Sequence, residues 1–272
     1  MMSRKYSNFT SQYTVLKMLG EGGYGLVCLV RRISDGTLHA AKIIKDEVCR
    51  RKTWCEDRRY WIPDEIFHQE SIDHPNIVKL EEIYYQESSW ILVMEFIPGY
   101  KDLFDYILDT GPMCAEDARL VIVQILETVK YLSDRGIDHR DIKDENILYN
   151  PTSKHIKLID FGSASHMPTG RYSTYQGTEA YLPPEFHKCR SYSARSATTW
   201  AVGCLAYSLL NGQPLFRTVQ EVTEFKVLKF INLDLDELSK KFLVSMLTVD
   251  ERKRVLPGGA LFHPWIQRAL RE

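Results

Sequence analysis

The sequence has few of the patterns that mark membrane-spanning or disulfide-rich proteins. No stretch is apolar and uncharged for long enough to cross a membrane, and residues 1–10 contain no apolar signal region. The six cysteines include no C-x-x-C pair, which argues against a disulfide framework or a zinc site and favours reduced thiols. A net charge of −1 gives no basic excess for nucleic acid or an anionic membrane. We therefore expect a cytoplasmic protein, with the nucleus as a second compartment, and no nucleic-acid or membrane partner.

The 272 residues divide into a strand-rich part and a helical part. Alternating apolar runs separated by turn signals predict strands over most of residues 13–97, with one short helix over 62–72. Pro98 and Gly99 end this pattern, and helical spacing follows. We expect an α+β protein with a strand-rich lobe over 1–96, a helical lobe over 97–272 and a ligand-binding cleft between them.

Helical spacing predicts several helices after Gly99. Asp102 is a suitable N-cap for the first, and Gly111 would end it. The segment at 198–210 is apolar on nearly all sides, so this helix is expected to be buried. The predicted helices cover residues 103–109, 115–136, 198–210, 234–247 and 258–270.

A glycine-rich segment, "LGEGGYGLV", spans Leu19 to Val27 between two predicted strands. Glycine lets backbone N–H groups approach a phosphate without an intervening side chain. A glycine-rich hairpin turn is the alternative explanation. A strand follows the segment, which argues against a Rossmann fingerprint or a P-loop.

Lys42 lies inside an apolar predicted strand. An unpaired buried ammonium is costly, so an anionic partner is expected, and Glu65 on the short helix is the candidate. The alternative is a lysine that reaches solvent from the edge of a sheet.

Two polar motifs follow in the second part, "HRDIKDEN" at 139–146 and "LIDFG" at 158–162. In the first, the Asp141 carboxylate can accept a hydroxyl proton, the Lys143 ammonium can steady a phosphate and the Asn146 amide oxygen can bind Mg²⁺. Asp160 in the second is a hard oxygen ligand for the same ion. Either motif alone can be a polar turn, but the two together indicate a catalytic site.

The order of these motifs, with a P-P-E at 183–185, resembles that of eukaryotic protein kinases over about residues 13–268. "HRDIKDENIL", "DLFDYI" and "HPWI" are similar to the Pim-type serine/threonine kinases. The resemblance implies a small antiparallel β-sheet lobe with one main helix and a larger, mainly α-helical lobe. It also implies transfer of the ATP γ-phosphoryl group, with Mg²⁺, to serine or threonine of protein substrates by a monomer. The alternative is a pseudokinase-like nucleotide-binding scaffold, which would be expected to lack Lys42, Asp141 or Asp160.

The resemblance also assigns roles to residues. Asp141, Lys143 and Asn146 would be catalytic, and Asn146 and Asp160 would bind the metal. Met94 is similar to a gatekeeper residue. The residues expected to bind ATP are Leu19, Gly20, Glu21, Gly22, Gly23, Tyr24, Gly25, Leu26, Val27, Ala40, Lys42, Glu65, Glu95, Ile97, Asp102 and Leu148.

Other positions bear on structure and on departures from the family. Glu185 and Arg254 are expected to form a structural ion pair. Gln69 stands where kinases usually have an apolar residue, and Thr198 stands where they usually have the aspartate of D-x-W-x-x-G. Neither departure removes a catalytic group.

Two expectations concern substrates and regulation. The resemblance places four acidic residues along the peptide groove, namely Asp102, Asp105, Asp144 and Glu145. They predict a substrate with basic residues upstream of the phosphoacceptor and Arg at the third position before it. The alternative is that these carboxylates form a generic solvated rim. The activation segment, residues 163–176, contains no Asp or Glu, so a phosphate on Thr174, or else Ser173, is expected to engage Arg140. The alternative is that backbone carbonyls satisfy Arg140.

Overall fold

The computed structural model describes residues 8–22, 25–49, 51–232 and 234–268. The chain divides into two compact units, residues 1–99 and 100–272. The first is rich in strands and the second in helices. These elements agree with the predicted α+β class.

The first unit contains an antiparallel sheet and two short helices. Its elements are α1 (Phe9–Gln12), β1 (Tyr13–Gly22), β2 (Gly25–Arg32), β3 (Leu38–Lys45), β4 (Lys52–Cys55), β5 (Tyr60–Pro63), α2 (Asp64–Gln69), β6 (Leu80–Gln86) and β7 (Ser89–Glu95). The described five-stranded sheet has the order β1-β2-β3-β7-β6. One apolar cluster includes Phe9 of α1 and Val93, and another includes Ile66 of α2 and Leu92. Because neighbouring residues of β7 enter different clusters, both faces of the sheet are covered.

The hairpin of β4 and β5 was not predicted. Its strands pair antiparallel, with Trp54 opposite Trp61 and their ring centroids 5.8 Å apart. Both indoles remain exposed, that of Trp54 at 39% and that of Trp61 at 58%. The many charged residues around the two tryptophans hid the alternating pattern by which strands are recognised.

The second unit is mainly helical. Its helices are α3 (Leu103–Thr110), α4 (Ala115–Asp134), α5 (Pro184–Cys189), α6 (Ala194–Asn211), α7 (Val219–Glu224), α8 (Glu237–Met246), α9 (Pro257–Ala260) and α10 (Pro264–Gln267). Its short strands are β8 (Lys101–Asp102), β9 (Ile137–Asp138), β10 (Ile147–Asn150), β11 (His155–Leu158) and β12 (Ser165–His166). Helix α6 is buried along almost its whole length, as its apolar sequence predicts. The short helices α5 and α7 were not predicted.

The single helix predicted over 258–270 is wrong, because the structure has α9 and α10 there instead. Pro264 begins α10, and His263 before it is extended, with ψ of 138°. Proline lacks an N–H and disfavours helical backbone in the preceding residue, so a helix cannot run through this point without a break.

The predicted ion pair between Glu185 and Arg254 is confirmed. The two guanidinium nitrogens Nη1 and Nη2 lie 2.8 and 2.9 Å from the two carboxylate oxygens. Arg254 also donates to the carbonyl oxygens of Ser196 and Thr248, and its guanidinium lies over the ring of Trp200. Arg254 therefore ties α5 and α6 to the segment after α8.

Candidate active site

Lys42 and Glu65 form a buried ion pair in the first unit. Nζ of Lys42 on β3 lies 2.6 Å from Oε1 of Glu65 on α2. Both residues are 5% exposed. The alternative of a lysine at a sheet edge does not hold, because β3 lies between β2 and β7. The pair satisfies both charges and ties α2 to the sheet.

Gln69 occupies a buried position one helical turn after Glu65. Its Nε2 donates to the carbonyl oxygen of Val78 at 3.0 Å and lies 3.9 Å from Sδ of Met94. The polar side chain at this unusual position is therefore hydrogen-bonded within the first unit. The glutamine at position 69 therefore does not prevent the ion pair of Glu65 with Lys42.

The glycine-rich segment forms the end of the β1–β2 hairpin. Gly22 pairs with Gly25 across it, whereas Gly23 and Tyr24 lie outside the described residues. Gly25 has φ of 133°, and a Cβ there would lie 2.4 Å from the carbonyl oxygen of Ile43. Glycine at this position is therefore required by the sheet itself. The other predicted residues on these two strands are Leu19, Gly20, Glu21, Leu26 and Val27.

In the first unit, the residues predicted to contact the base of ATP lie on β2, on β3 and at or just after the end of β7. Val27 and Ala40 lie on adjacent, antiparallel strands. Glu95 ends β7, and its backbone N–H donates to the carbonyl oxygen of Lys79 at 3.0 Å. A purine could therefore bond Glu95 only through its carbonyl oxygen. Ile97 lies in the irregular segment after β7.

Asp102 and Leu148 are partners across the β8–β10 pairing in the second unit. The side chain of Asp102 accepts the backbone N–H of Asp105 at 2.8 Å, so it is also the N-cap of α3, as predicted. The cap explains an aspartate here without a ligand, and contact with a ribose stays a prediction.

Donors from two segments hold the carboxylate of Asp141. Nδ2 of Asn146 donates to the carbonyl oxygen of Asp141 at 2.8 Å and to its Oδ2 at 3.0 Å. Thr178 donates its backbone N–H and its hydroxyl to Oδ1, at 2.9 and 2.8 Å. Asp141 is 7% exposed. The carboxylate is thus held in one orientation, which a group that takes a proton from a substrate requires.

Lys143 lies beside two carboxylates. Its Nζ is 3.7 Å from Oδ2 of Asp141 and 2.7 Å from Oε2 of Glu145. Burial lowers the pKa of Lys143, but the hydrogen bond to Glu145 and the nearby negative charges outweigh burial and raise that pKa above its usual value. Lys143 is therefore a cation at neutral pH and is suited to contact a phosphate.

Asn146 and Asp160 are brought together by backbone pairing. The N–H of Ile159, which precedes Asp160, donates to the carbonyl oxygen of Asn146 at 3.0 Å. The ring of Phe161 packs against that of His139 at 4.8 Å between centroids. The two predicted metal ligands therefore lie on neighbouring, mutually packed segments.

Asp144 is buried, which corrects the prediction that it lines an acidic groove. It is 7% exposed and accepts a hydrogen bond from the Tyr181 hydroxyl at 3.1 Å. Burial raises the pKa of Asp144, and the bond from Tyr181 offsets part of that effect. Asp105 and Glu145 are exposed, so a substrate can reach both side chains, and Glu145 also bonds Lys143 through Oε2.

Neutral groups hold the guanidinium of Arg140. It donates to the carbonyl oxygen of Thr174 at 2.8 Å, the hydroxyl of Tyr192 at 2.8 Å and Oε1 of Gln176 at 2.9 Å. It also lies 4.0 Å from the ring centroid of Tyr172. These contacts favour the alternative in which Arg140 needs no phosphate on the activation segment.

Comparison with known proteins identifies the family. Residues 13–266 match the family model of the protein kinase domain. The serine/threonine-protein kinase pim-2 of Danio rerio is 32% identical over 96% of this chain and 87% of its own length. The calcium/calmodulin-dependent protein kinase type 1 of Macrobrachium nipponense is 34% identical over 94% of this chain and 75% of its own. The serine/threonine-protein kinase prk-2 of Caenorhabditis elegans is 32% identical over 98% of this chain, which spans 60% of that kinase.

The chain belongs to the protein kinase family. The predicted two-lobed kinase fold and the assignment to the serine/threonine protein kinases are confirmed. The family implies ATP, a divalent metal ion and protein substrates. No helix in the described parts of this kinase has both the length and the apolar character needed to cross a bilayer.

Gly177 and Thr178 are residues of this kinase that the sequence did not single out. Gly177 has φ of 97°, and a Cβ there would lie 2.3 Å from the carbonyl oxygen of Arg140. Only glycine allows this approach, and it brings Thr178 to Asp141. The Gly-Thr dipeptide after the activation segment was the available signal, but its contact with Asp141 becomes visible only in the fold.

Proposed function

We propose that Asp141 accepts the proton of the substrate hydroxyl in this kinase. The hydroxyl oxygen of serine or threonine bonds to the γ-phosphorus of ATP, the bond from that phosphorus to the bridging oxygen breaks, and ADP leaves. The hydroxyl proton passes to the Asp141 carboxylate. The fixed orientation of that carboxylate, held by Asn146 and Thr178, carries this proposal. A carboxylate oxygen has more than one lone pair, so these bonds leave room for the proton.

Lys143 is proposed to hold the phosphoryl group during transfer. Its ammonium lies beside the proton acceptor Asp141, and its raised pKa keeps it charged. A cation at this place offsets the negative charge that a phosphoryl group brings next to a carboxylate.

Asn146 and Asp160 are proposed to hold Mg²⁺. Both supply hard oxygen donors, and Mg²⁺ commonly takes only one or two carboxylates from the protein and the rest from phosphates and water. Because Nδ2 of Asn146 is turned towards Asp141, its Oδ1 is the atom suited to a cation. When bound, the ion neutralises charge on the β- and γ-phosphate oxygens.

The predicted ATP-binding residues are proposed to act as two sets. In the first unit, residues 20–27 would cover the phosphates and Lys42 would bond them. Val27, Ala40 and the backbone of Glu95 and Ile97 would meet the base. In the second unit, Leu148 and Asp102 would meet the base and the ribose. The buried pair of Lys42 with Glu65 supports this assignment, since it holds the ammonium in one place.

The preferred substrate is proposed to carry basic residues upstream of the acceptor, as the resemblance to Pim-type kinases implies. The exposed carboxylates of Asp105 and Glu145 support this, because clustered carboxylates favour guanidinium groups. Kinetics on a peptide library with Mg²⁺ and ATP test the function. We expect phosphorylation of serine and threonine, not tyrosine, and the highest kcat/KM with Arg at the third position upstream. A preference for acidic or proline-directed peptides would contradict the substrate proposal, and absence of transfer would contradict the catalytic one.

The enzyme is also proposed to be a monomer, as the resemblance to Pim-type kinases implies, and to be cytoplasmic and partly nuclear. The near-neutral charge of the sequence supports the further proposal that it binds no nucleic acid. Light scattering of the purified chain, cell fractionation and a filter-binding assay with DNA and RNA test these three points.

A further inference from the structure

Tyr172 of the activation segment presents the face of its ring to the guanidinium of Arg140. The central carbon Cζ of that guanidinium lies 4.0 Å from the ring centroid. Tyr172 is 8% exposed, so its ring is shielded from water. An aromatic face attracts a cation more strongly in a desolvated place than at the surface. The proposed chemistry does not use this contact, although it lies directly beside the catalytic loop.

The ring of Tyr172 is held by contacts other than Arg140. Its backbone N–H donates to the carbonyl oxygen of Tyr192 at 2.9 Å, and the N–H of Tyr192 donates back at 3.1 Å. The two rings pack with their centroids 5.2 Å apart. At the far end of the side chain, the hydroxyl lies 3.0 Å from Oγ of Ser165 on β12. The ring is therefore a fixed support for the guanidinium.

Tyr172 covers the part of Arg140 that the hydrogen bonds leave open. The N–H groups of a guanidinium point outwards in its plane, so the oxygens of Thr174, Gln176 and Tyr192 hold its edge. Nε of Arg140 is buried and has no hydrogen-bond acceptor among the described residues. The ring of Tyr172 adds attraction over the face of the cation, and the two kinds of contact together fix the side chain.

A fixed side chain matters because the backbone of Arg140 is in an unusual conformation. Its φ is 64°, in the left-handed region that residues other than glycine seldom adopt. Such a conformation persists only where the surrounding structure holds it. Asp141 is the next residue, and the Arg140 carbonyl is the group that Gly177 approaches so closely. A change of φ at Arg140 would move Asp141 and disturb the approach that brings Thr178 to its carboxylate.

We propose that Tyr172 is a positioning residue for phosphoryl transfer. Its ring face holds the guanidinium of Arg140, and Arg140 in turn holds the backbone that carries Asp141. An uncharged ring thus takes the role that was predicted for a phosphate on the activation segment. The proposal rests on the proposed role of Asp141 as the proton acceptor.

Two substitutions separate the ring of Tyr172 from its hydroxyl. Tyr172→Leu removes the ring face and should lower kcat roughly 5- to 30-fold, while the KM for ATP changes by less than about twofold. Tyr172→Phe keeps the ring and loses only the contacts of the hydroxyl, with Ser165 and His166. Its kcat should stay within about threefold of the native value. Native kcat in Tyr172→Leu, or equal losses in the two variants, would overturn the proposal.

Phe186→Leu is the matched control, because it removes another ring of the same apolar cluster. Phe186 is 7% exposed and meets the ring of Tyr192 edge-on, with centroids 5.6 Å apart. The control should lower the midpoint of thermal unfolding, as Tyr172→Leu does, while kcat stays within about twofold of native. An equal loss of kcat in Phe186→Leu would show that packing of the cluster, and not the ring over Arg140, supports turnover.

A second background shows whether Tyr172 acts through Arg140. In Arg140→Met the cation is already absent, so adding Tyr172→Leu should lower kcat by less than about twofold further. Equal losses in both backgrounds would contradict the proposal. Should Tyr172→Leu fail to fold, replacement of Tyr172 by pentafluorophenylalanine decides, because it keeps the shape of the ring and removes its negative face. Its kcat should fall at least about threefold below that of Tyr172→Phe, and equal values would overturn the proposal.

Asp141→Asn separates a failure of this proposal from a failure of the proposed catalytic role. Native turnover in Asp141→Asn would mean that Asp141 is not the proton acceptor, and the positioning proposal would fall with that role. Loss of turnover in Asp141→Asn together with native kcat in Tyr172→Leu would leave the role of Asp141 intact and overturn only the positioning by Tyr172.

Discussion

At the scale of single residues, the carboxylates of Asp141 and Asp160 can be neutralised with almost no change of shape. Asp141→Asn should lower kcat by about 10²- to 10⁴-fold, because an amide cannot take the substrate proton. Asp160→Asn should nearly abolish transfer, because the metal loses an anionic ligand. Phosphotransfer to a peptide, measured across a Mg²⁺ titration, checks both. The midpoint of thermal unfolding should stay close to that of the native kinase.

Asp134→Asn is the matched control for these two changes. Asp134 lies on α4 and pairs with Lys130 at the surface, with 57% of its side chain exposed. The Asp134→Asn variant should keep native activity. Native turnover in both Asp141→Asn and Asp160→Asn would contradict the proposed roles.

The carboxylate of Asp138 should also give the stability of this kinase a pH dependence. Burial raises the pKa of Asp138 from 3.8 to about 6, against the lowering effects of Arg140, Thr198 and Tyr172. The folded state therefore binds this proton more tightly, so the stabilisation is complete below about pH 4 and is lost as the pH rises through 6. The shift corresponds to roughly 3 kcal/mol.

Urea unfolding of Asp138→Asn and the native kinase at several pH values measures that difference. The variant cannot ionise at this position, so its free energy of unfolding should exceed that of the native kinase by up to about 3 kcal/mol at pH 7.5 and by little near pH 4. A difference that does not change with pH would contradict the prediction.

Residue types and their spacing were enough to predict that Lys42 pairs with Glu65 and that Asp141 and Asn146 belong to one catalytic site. They could not show that Asp144 is buried, because its partner Tyr181 lies 37 residues further along the chain. Contacts of that range depend on tertiary packing, which local patterns do not report.

At the scale of elements, Gln69 is a second tether of α2, to Val78 before β6 and to Met94 of β7. Gln69→Ala would leave the buried carbonyl of Val78 without this donor, which costs about 1–3 kcal/mol. Because α2 also carries Glu65, we expect a lower unfolding midpoint and a higher KM for ATP. Thermal unfolding and steady-state kinetics check this. Glu70→Ala, next in sequence and less buried, is the control, because it removes an ion pair with Arg58 but no hydrogen bond to Val78. An equal rise of KM in Glu70→Ala would contradict the tether.

The activation segment is a second element that the structure explains. Since Arg140 is already bonded to Thr174, Gln176 and Tyr192, phosphatase-treated kinase should be as active as untreated kinase, and Thr174→Ala should match it. Tyr192→Phe should lower kcat, because it removes one acceptor from Arg140. These four samples belong in one peptide assay, together with Ser173→Ala, which tests the alternative phosphoacceptor and should also match the native kinase. A large loss after phosphatase treatment would restore the original expectation that a phosphate engages Arg140.

Elements with long, regular apolar spacing, such as α4 and α6, were predictable from the sequence. The hairpin of β4 and β5 was not, because its buried side chains, such as Ile62, enter a cluster built by β7 and α2. The break between α9 and α10 could have been found from Pro264 alone. The apolar spacing across 258–270 suggested one helix, and the proline rule should have overridden it.

At the scale of the whole molecule, the second unit depends on one buried arginine. The side chain of Arg254 is fully buried, and that of Glu185 is 8% exposed. Removing one partner leaves an uncompensated buried charge, which costs about 3–5 kcal/mol. Arg254→Leu and Glu185→Leu should each lower the unfolding midpoint sharply. The double variant should be less destabilised than the sum of the two single changes, since no unpaired charge remains.

Arg252→Leu is the control for this cycle, because Arg252 lies two residues away, pairs with Asp250 and has 85% of its side chain exposed. Surface pairs of this kind contribute about 0–1 kcal/mol, so its unfolding curve should overlay that of the native kinase. Circular dichroism melts of the native kinase, the three variants of the cycle and the control give all the required values. Strict additivity in the double variant would show that Arg254 acts through its other contacts, on Ser196, Thr248 and Trp200, rather than through Glu185.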